Sequence, residues 1–252
     1  MSFQTISLAK EGPIATIALD SPDNGNLINK RMVQDLSEAC EELANNENIR
    51  AIILTGDDNG TFSLGWDNSF LENITKVPTD IFGPIAALPQ PTICAINGDA
   101  ISAGVELALC CDIRIASNKA HFCFTETSNG MIPIGGGTQR LPRIVGLSWA
   151  LSMILTGKSL SSKEALSIGL ITHTASQSTL EKQAQKIALT IAQRGPIAVR
   201  YAKEAIAQGV DMSLQQGMNL ELDLSVILQT TKDRQEGLDA FLDKREPKFL
   251  GH

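Results

Sequence analysis

Short apolar runs alternate with helical periods through most of this 252-residue chain, and after about Ser161 strand candidates almost cease. That change of pattern narrows the fold more than any other feature, because alternating strands and helices favour an α/β core. Residues 3–9 and 13–19 read as two strands of a hairpin joined by Lys10-Glu11-Gly12. A dense turn cluster follows at 21–25, then apolar residues at Ile28, Met32, Val33, Leu36, Cys40 and Leu43 give a helical period. Residues 51–54 and 92–96 read as buried strands, with a turn cluster at 56–60 between them. A helix is expected from about Ala103 to Cys111, and extended chain at 112–116 and 120–124. Beyond that, 161–167, 179–193, 197–208, 213–229 and 232–242 carry helical patterns, and 170–173 is the one strand candidate of equal quality. Gly195-Pro196 is a strong breaker. The expected organisation is an α/β core over 1–195 and a helical region over 196–252 that caps the core or docks on another subunit.

Composition excludes several classes. The chain is 43% hydrophobic and 19% charged, with net charge −7 and no long basic block, so neither nucleic acid nor an anionic membrane is an expected partner. The five cysteines are odd in number, form no CxxC pair and sit in apolar runs, which reads as buried reduced thiols. The three histidines form no spaced metal motif, so no metal site is expected. The first twenty residues alternate polar and apolar without a signal-peptide pattern, and no run of 18 apolar residues occurs, so a cytoplasmic protein is the default expectation.

The chemistry concentrates in NGDAISAGVELALCCDIRIA, residues 97–116, and in a second acid, Glu126. A strand ends there, the chain turns through Asn97-Gly98, and a helix opens near Ser102-Ala103-Gly104. Amides at a helix start lack intrahelical partners and carry partial positive charge, so one aimed at a carbonyl oxygen stabilises the charge that develops on it. Glu106 follows in the first turn, and a tight packing site with a solvated acid is the competing reading of this segment. Glu126, twenty positions on, lies before an Asn-Gly turn. Alone it reads as a surface acid; paired with Glu106 it offers two carboxyls that can differ in protonation, one a base and one an acid. The Gly-containing turn Phe62-Ser63-Leu64-Gly65-Trp66-Asp67 offers a second backbone N–H. Ile134-Gly135-Gly136-Gly137 lacks the Lys-Ser/Thr of a phosphate loop and the spacing of a dinucleotide fingerprint, so it reads as a helix entry with close backbone packing.

Four segments, FSLGWD (62–67), INGDAISAGVELALCCDIRIA (96–116), FTETSNGMIPIGGGTQRLPRIVG (124–146) and EGLDAFLDKREPKF (236–249), together resemble the crotonase, or enoyl-CoA hydratase/isomerase, family. The resemblance runs in order over nearly the whole chain. It implies a spiral of repeated ββα units with a C-terminal helical region, homotrimers that often pair into hexamers, and an acyl-CoA thioester as substrate, with no cofactor beyond that CoA. Carried over by position, Trp66 and Ala103 supply the two oxyanion-hole amides, with Gly65, Asp67 and Gly104 beside them, and Glu106 and Glu126 are the two catalytic glutamates. Leu64 falls on the loop beside the pantetheine arm. Phe241 and Lys244 match residues that reach the CoA of a neighbouring subunit. The implied reaction is syn hydration of a trans-2-enoyl thioester, Glu106 taking a proton from water and Glu126 giving one to C2.

The chain departs from the family at two places: a small residue is usual at Trp66, and Gly is usual at Ala103. The donors are backbone amides and survive both changes, but the indole must either point away from the thioester or line the acyl pocket, favouring a flat or short acyl group. Lys30, Arg31 and Lys244 are candidate partners for the CoA phosphates. Within the family, an isomerase needs one base, and a β-diketone C–C hydrolase is compatible with Trp66; a non-catalytic homologue is a further alternative. From a different class, Ala100-Ile101-Ser102-Ala103-Gly104 loosely resembles a hydrolase nucleophile elbow with His173 as base, although the first Gly is absent.

Overall fold

The computed structural model describes residues 3–57, 60–72 and 80–252. The chain opens with a hairpin of β1 (Ile6–Glu11) and β2 (Ile14–Leu19), and α1 (Lys30–Ala44) then crosses to β3 (Ala51–Thr55). The turn at 56–60 lies in part outside the described residues. From β3 onward the chain visits two sheets in turn. β4 (Thr61–Ser63) follows β3 and leads into two short helices, α2 (Asn68–Leu71) and α3 (Gly83–Ala86). β5 (Thr92–Ile96) and β6 (Asp99–Ile101) lead into α4 (Ala103–Leu109). β7 (Ile113–Ser117) and β8 (His121–Cys123) lead into α5 (Gly137–Val145) and α6 (Leu147–Thr156). The first strand of each pair joins a six-stranded sheet ordered β1-β2-β3-β5-β7-β10, and the second joins a four-stranded sheet ordered β4-β6-β8-β9. These are three turns of a ββα repeat, the spiral expected from the sequence resemblance. The remaining elements are β9 (Leu160–Ser161), α7 (Ser162–Ser167), β10 (His173–Ala175), α8 (Gln177–Ala192), α9 (Pro196–Gly209), α10 (Leu214–Leu228) and α11 (Lys232–Leu242).

The large sheet is parallel from β2 to β10 and buried on both faces, which is why its strands read as unbroken apolar runs. Along β3 the side chains alternate: Ile52 and Leu54 join the main core with α1 and the small sheet, while Ala51 and Ile53 pack under α8. Leu180, Ala184 and Ala188, one helical face of α8, complete that second core. All five cysteines are buried and unpaired, as their apolar surroundings predict.

Three differences from the sequence expectation have local causes. β1 begins at Ile6 rather than Phe3 because the Gln4 and Thr5 amides donate to the buried Asp35 carboxylate on α1 instead of to a strand. The strand expected over 170–173 starts at His173, with Leu170 and Ile171 turned into the core just before it. Helices α5 and α6 carry no clear sequence signal, since Pro142 lies inside α5 and Gly146 separates the two.

The C-terminal helices have few buried residues of their own, among them Leu224 and Ala240, and α9 packs chiefly on α10. The tail folds back: Asp233 accepts the Leu250 and Gly251 amides, and Arg50 holds the carbonyls of Ala192 and Phe249. Ile206, Leu214, Leu222, Val226, Phe241 and Leu242 remain exposed.

Candidate active site

The site forms where each ββα turn crosses from the small sheet to its helix. Ala103 is the first residue of α4, and the first helical hydrogen bond is given by Glu106 N–H to Ser102 O, so the Ala103 N–H has no carbonyl to serve within the helix. Trp66 pairs in parallel with Ile28, but the bonds of that bridge are Ile28 N–H to Gly65 O and Asp67 N–H to Ile28 O; the Trp66 N–H takes no part. The two turns adjoin, for a Cβ on Gly65 would lie 3.4 Å from Ser102 Cβ. Among the described residues these two backbone donors, on adjoining turns, have no partner.

The glutamates sit beside them. Glu106 is wholly buried on α4, and its Oε1 accepts the amides of Gly135 at 2.7 Å and Gly137 at 2.8 Å. The glycine-rich segment does bind an anion at a helix start, but that anion is the protein's own carboxylate. Glycine is required there: a Cβ on Gly135 or Gly137 would come within about 3 Å of the Glu106 carboxylate and of Phe82 or Phe124. Arg140 braces the loop, donating to Gly135 O and pairing with Asp80. Burial pushes the Glu106 carboxyl up to about 7; the Gly137 amide opposes this, the Glu126 charge adds to it, and the Gly135 amide and the Trp66 indole oppose it further. The indole N–H nevertheless stays outside hydrogen-bond geometry, leaving Trp66 Nε1 and Glu106 Oε2 buried without partners among the described residues.

Glu126 opens a short 3-10 turn after β8 and is also buried, and neither carboxylate oxygen has a partner among the described residues. Burial raises its pKa, and its own amide, the Ser102 hydroxyl and the Thr125 amide, which lie near it but outside hydrogen-bond geometry, offset this only in part. Glu126 and Trp66 line a cleft of about 300 Å³ with Leu71, Gly130, Met131, Ile132 and Ile134. The indole is stacked between Phe70 (5.0 Å) and Phe82 (5.6 Å), so it is a fixed wall of the cleft.

A family model described as enoyl-CoA hydratase/isomerase matches residues 9–252. The chain belongs to the enoyl-CoA hydratase/isomerase family. The crotonyl-CoA hydratase of Syntrophomonas wolfei is 33% identical over 258 residues, covering 99% of each chain. The human mitochondrial methylglutaconyl-CoA hydratase is 38% identical over 253 residues, covering 94% of this chain and 74% of that one. The crystal structure of an enoyl-CoA hydratase from Bacillus anthracis superposes with a TM-score of 0.93 at 37% identity, covering 99% of this chain and 100% of that one.

For this family member the structure gathers Trp66, Ala103, Glu106 and Glu126 at one place and leaves other candidate residues outside it. Asp67 caps α2 through the Ser69 amide, and Gly104 packs against Ser63. Leu64 is exposed on the turn before Trp66 and leans on Gly25. Phe241 is 82% exposed on α11 and Lys244 follows it at φ 55°; neither lines the cleft. Arg31 pairs with buried Asp35, and Lys30 is exposed at the start of α1. Among the described residues the hydrolase alternative finds no base: Ser102 Oγ lies 2.9 Å from Thr125 Oγ1, whereas His173 is exposed and its Nδ1 lies 3.0 Å from Thr172 Oγ1. Sequence reasoning missed the carboxylate-binding role of Gly135 and Gly137, and the Phe70–Trp66–Phe82 stack. A glycine cluster at a helix entry was the available signal for the first.

Proposed function

We propose that this family member is an enoyl-CoA hydratase, adding water in syn fashion across the double bond of a trans-2-enoyl-CoA thioester. The observation that carries this reading is the pair of buried carboxyls, coupled through their charges, beside two free backbone amides. The Trp66 and Ala103 amides polarise the thioester carbonyl, so that negative charge gathers on its oxygen as water adds. Glu106, with two amides on Oε1 that favour its charged form, takes a proton from the water attacking C3. Glu126, whose burial raises its pKa with only partial offset from nearby donors, carries the proton delivered to C2. Each group is suited to one role, and the pair titrates jointly. An isomerase needs a single base, so two buried acids favour hydration. The chemistry runs on protons and amides, with CoA entering only as part of the substrate.

The cleft walls are apolar, with Glu126 the one charged lining residue among those described, which suits a short or flat uncharged acyl group and disfavours one ending in a carboxylate. The reading is tested by adding the protein to crotonyl-CoA and following the enone absorbance. Loss of absorbance is expected; no loss with crotonyl-CoA or with any short, branched or aromatic enoyl-CoA overturns it.

A homo-oligomer, trimer or dimer of trimers, belongs to the same proposal. The exposed apolar side chains of α9, α10 and α11 support it, being more than a solitary chain leaves in water. Sedimentation velocity should show a multiple of the chain mass; a stable monomer at micromolar concentration contradicts this part.

A further inference from the structure

Among the buried hydroxyls that the mechanism above does not use, that of Ser102 stands where the catalytic turns meet. Ser102 immediately precedes Ala103, its Cβ faces Gly65 of the Trp66 turn, and its Oγ accepts the Thr125 amide at 3.2 Å and lies 2.9 Å from Thr125 Oγ1. Thr125 is joined directly to Glu126. We propose that Ser102 is a positioning residue whose side chain, gripped by Thr125, fixes the Glu126 turn in register with the two oxyanion amides. This role rests on the hydratase reading.

Two observations carry it. Ser102 has φ 48° and ψ −111°, a conformation that glycine adopts easily and a Cβ disfavours. Among the described residues only Asn26 and Lys244 share a positive φ without being glycine. A serine persists there against local preference, and its side chain makes the bond that crosses from the α4 turn to the Glu126 turn. The second observation is a proton count. The Ser102 and Thr125 hydroxyls carry two protons, and one of them lies between the two oxygens. Ser102 Oγ also receives the Thr125 N–H, so the second hydroxyl proton is free for another acceptor. Glu126, both of whose oxygens lack partners among the described residues, follows Thr125 directly, and the Ser102 hydroxyl favours its charged form without yet bonding to it. The other titratable groups coupled to Glu126 are Glu106 and the Cys123 thiol.

The test uses full-length Ser102→Gly, Ser102→Ala and Thr125→Val proteins. It reads Tm, kcat and KM for an enoyl thioester, and the carbon-13 NMR titration of the Glu126 carboxyl without substrate, assigned with Glu126→Gln. The expected result is a kcat loss on the order of 10- to 100-fold in both Ser102 variants with KM little changed. The Glu126 titration should move upward in both, and Thr125→Val should reproduce both effects. Ser102→Gly, relieved of its strained φ, should keep or raise its Tm. Unchanged kcat and unchanged Glu126 titration overturn the proposal, as does a kcat loss that only tracks a falling Tm in every variant. If the wild-type protein hydrates no enoyl thioester, the hydratase reading fails by itself, and the substrate-free titration still decides whether Ser102 holds Glu126.

Discussion

Glu106→Gln and Glu126→Gln should each lower kcat for hydration of a short enoyl-CoA by about 10²- to 10⁴-fold, the usual range for losing a positioned acid or base. Glutamine is nearly isosteric, so the loss isolates proton transfer from packing. At position 106 the amide oxygen can still accept both the Gly135 and Gly137 N–H groups, and the loop that grips it keeps its place. What disappears is the basic electron pair. At position 126 the substitution removes a transferable proton from a carboxyl that has no hydrogen-bond partner among the described residues. KM should change far less than kcat, because the Trp66 and Ala103 amides are untouched. Steady-state kinetics of the purified variants decide the point, and unaltered turnover in either one removes that residue from the mechanism. The double variant should be little worse than the poorer single one, since acid and base act on the same transition state.

The second large effect concerns stability and its sign is opposite to intuition. Glu106 has an ordinary carboxyl pKa near 4.5 when unfolded and about 7 when folded. Between those values the folded state holds a proton that the unfolded state has lost, so stability falls as pH rises through this window. The loss is complete above the folded pKa and amounts to about 3 kcal/mol. Below pH 4.5 both states are protonated and nothing is lost. Glu106→Gln removes this slope. The variant should match the wild type near pH 4 and exceed it by about 3 kcal/mol at pH 8, where Glu106 of the wild type is ionised. Denaturant unfolding at the two pH values, at one fixed protein concentration, measures the difference. A variant less stable than the wild type at pH 8 would contradict the burial argument. On the proposed reading the base is held at the expense of the fold, a trade common to active sites.

Much of this was legible from residues alone. β5 and α11 fall where their patterns place them, 92–96 and 232–242, because an apolar run bounded by turns and a helical period are local signals. The ββα spiral was legible only through resemblance. β4 and β6 are three residues each, too short for an alternating pattern, and although β8 falls within the extended chain expected at 120–124, the pairing of all three comes from elsewhere in the chain. α5 and α6 were hidden by Pro142 and flanking glycines, which are breakers in isolation. In the site, Glu106 and Glu126 could be named, but their burial could not. Nothing local to Ile134-Gly135-Gly136-Gly137 says which anion its amides hold, since the answer lies about thirty residues upstream. The consequence of Trp66 was likewise open in the sequence, because the stack needs Phe70 from α2 and Phe82 from the approach to α3.

That stack gives the molecule an optical handle. The chain contains two tryptophans, and they stand in opposite settings: Trp66 is buried against the cleft, whereas Trp149 lies 39% exposed on α6. Indole emission follows the polarity around the ring. A molecule entering the cleft should change the polarity beside one emitter and leave the other in its surroundings. The indole that walls the cleft is therefore also an emitter at its edge, expected to answer when the cleft fills.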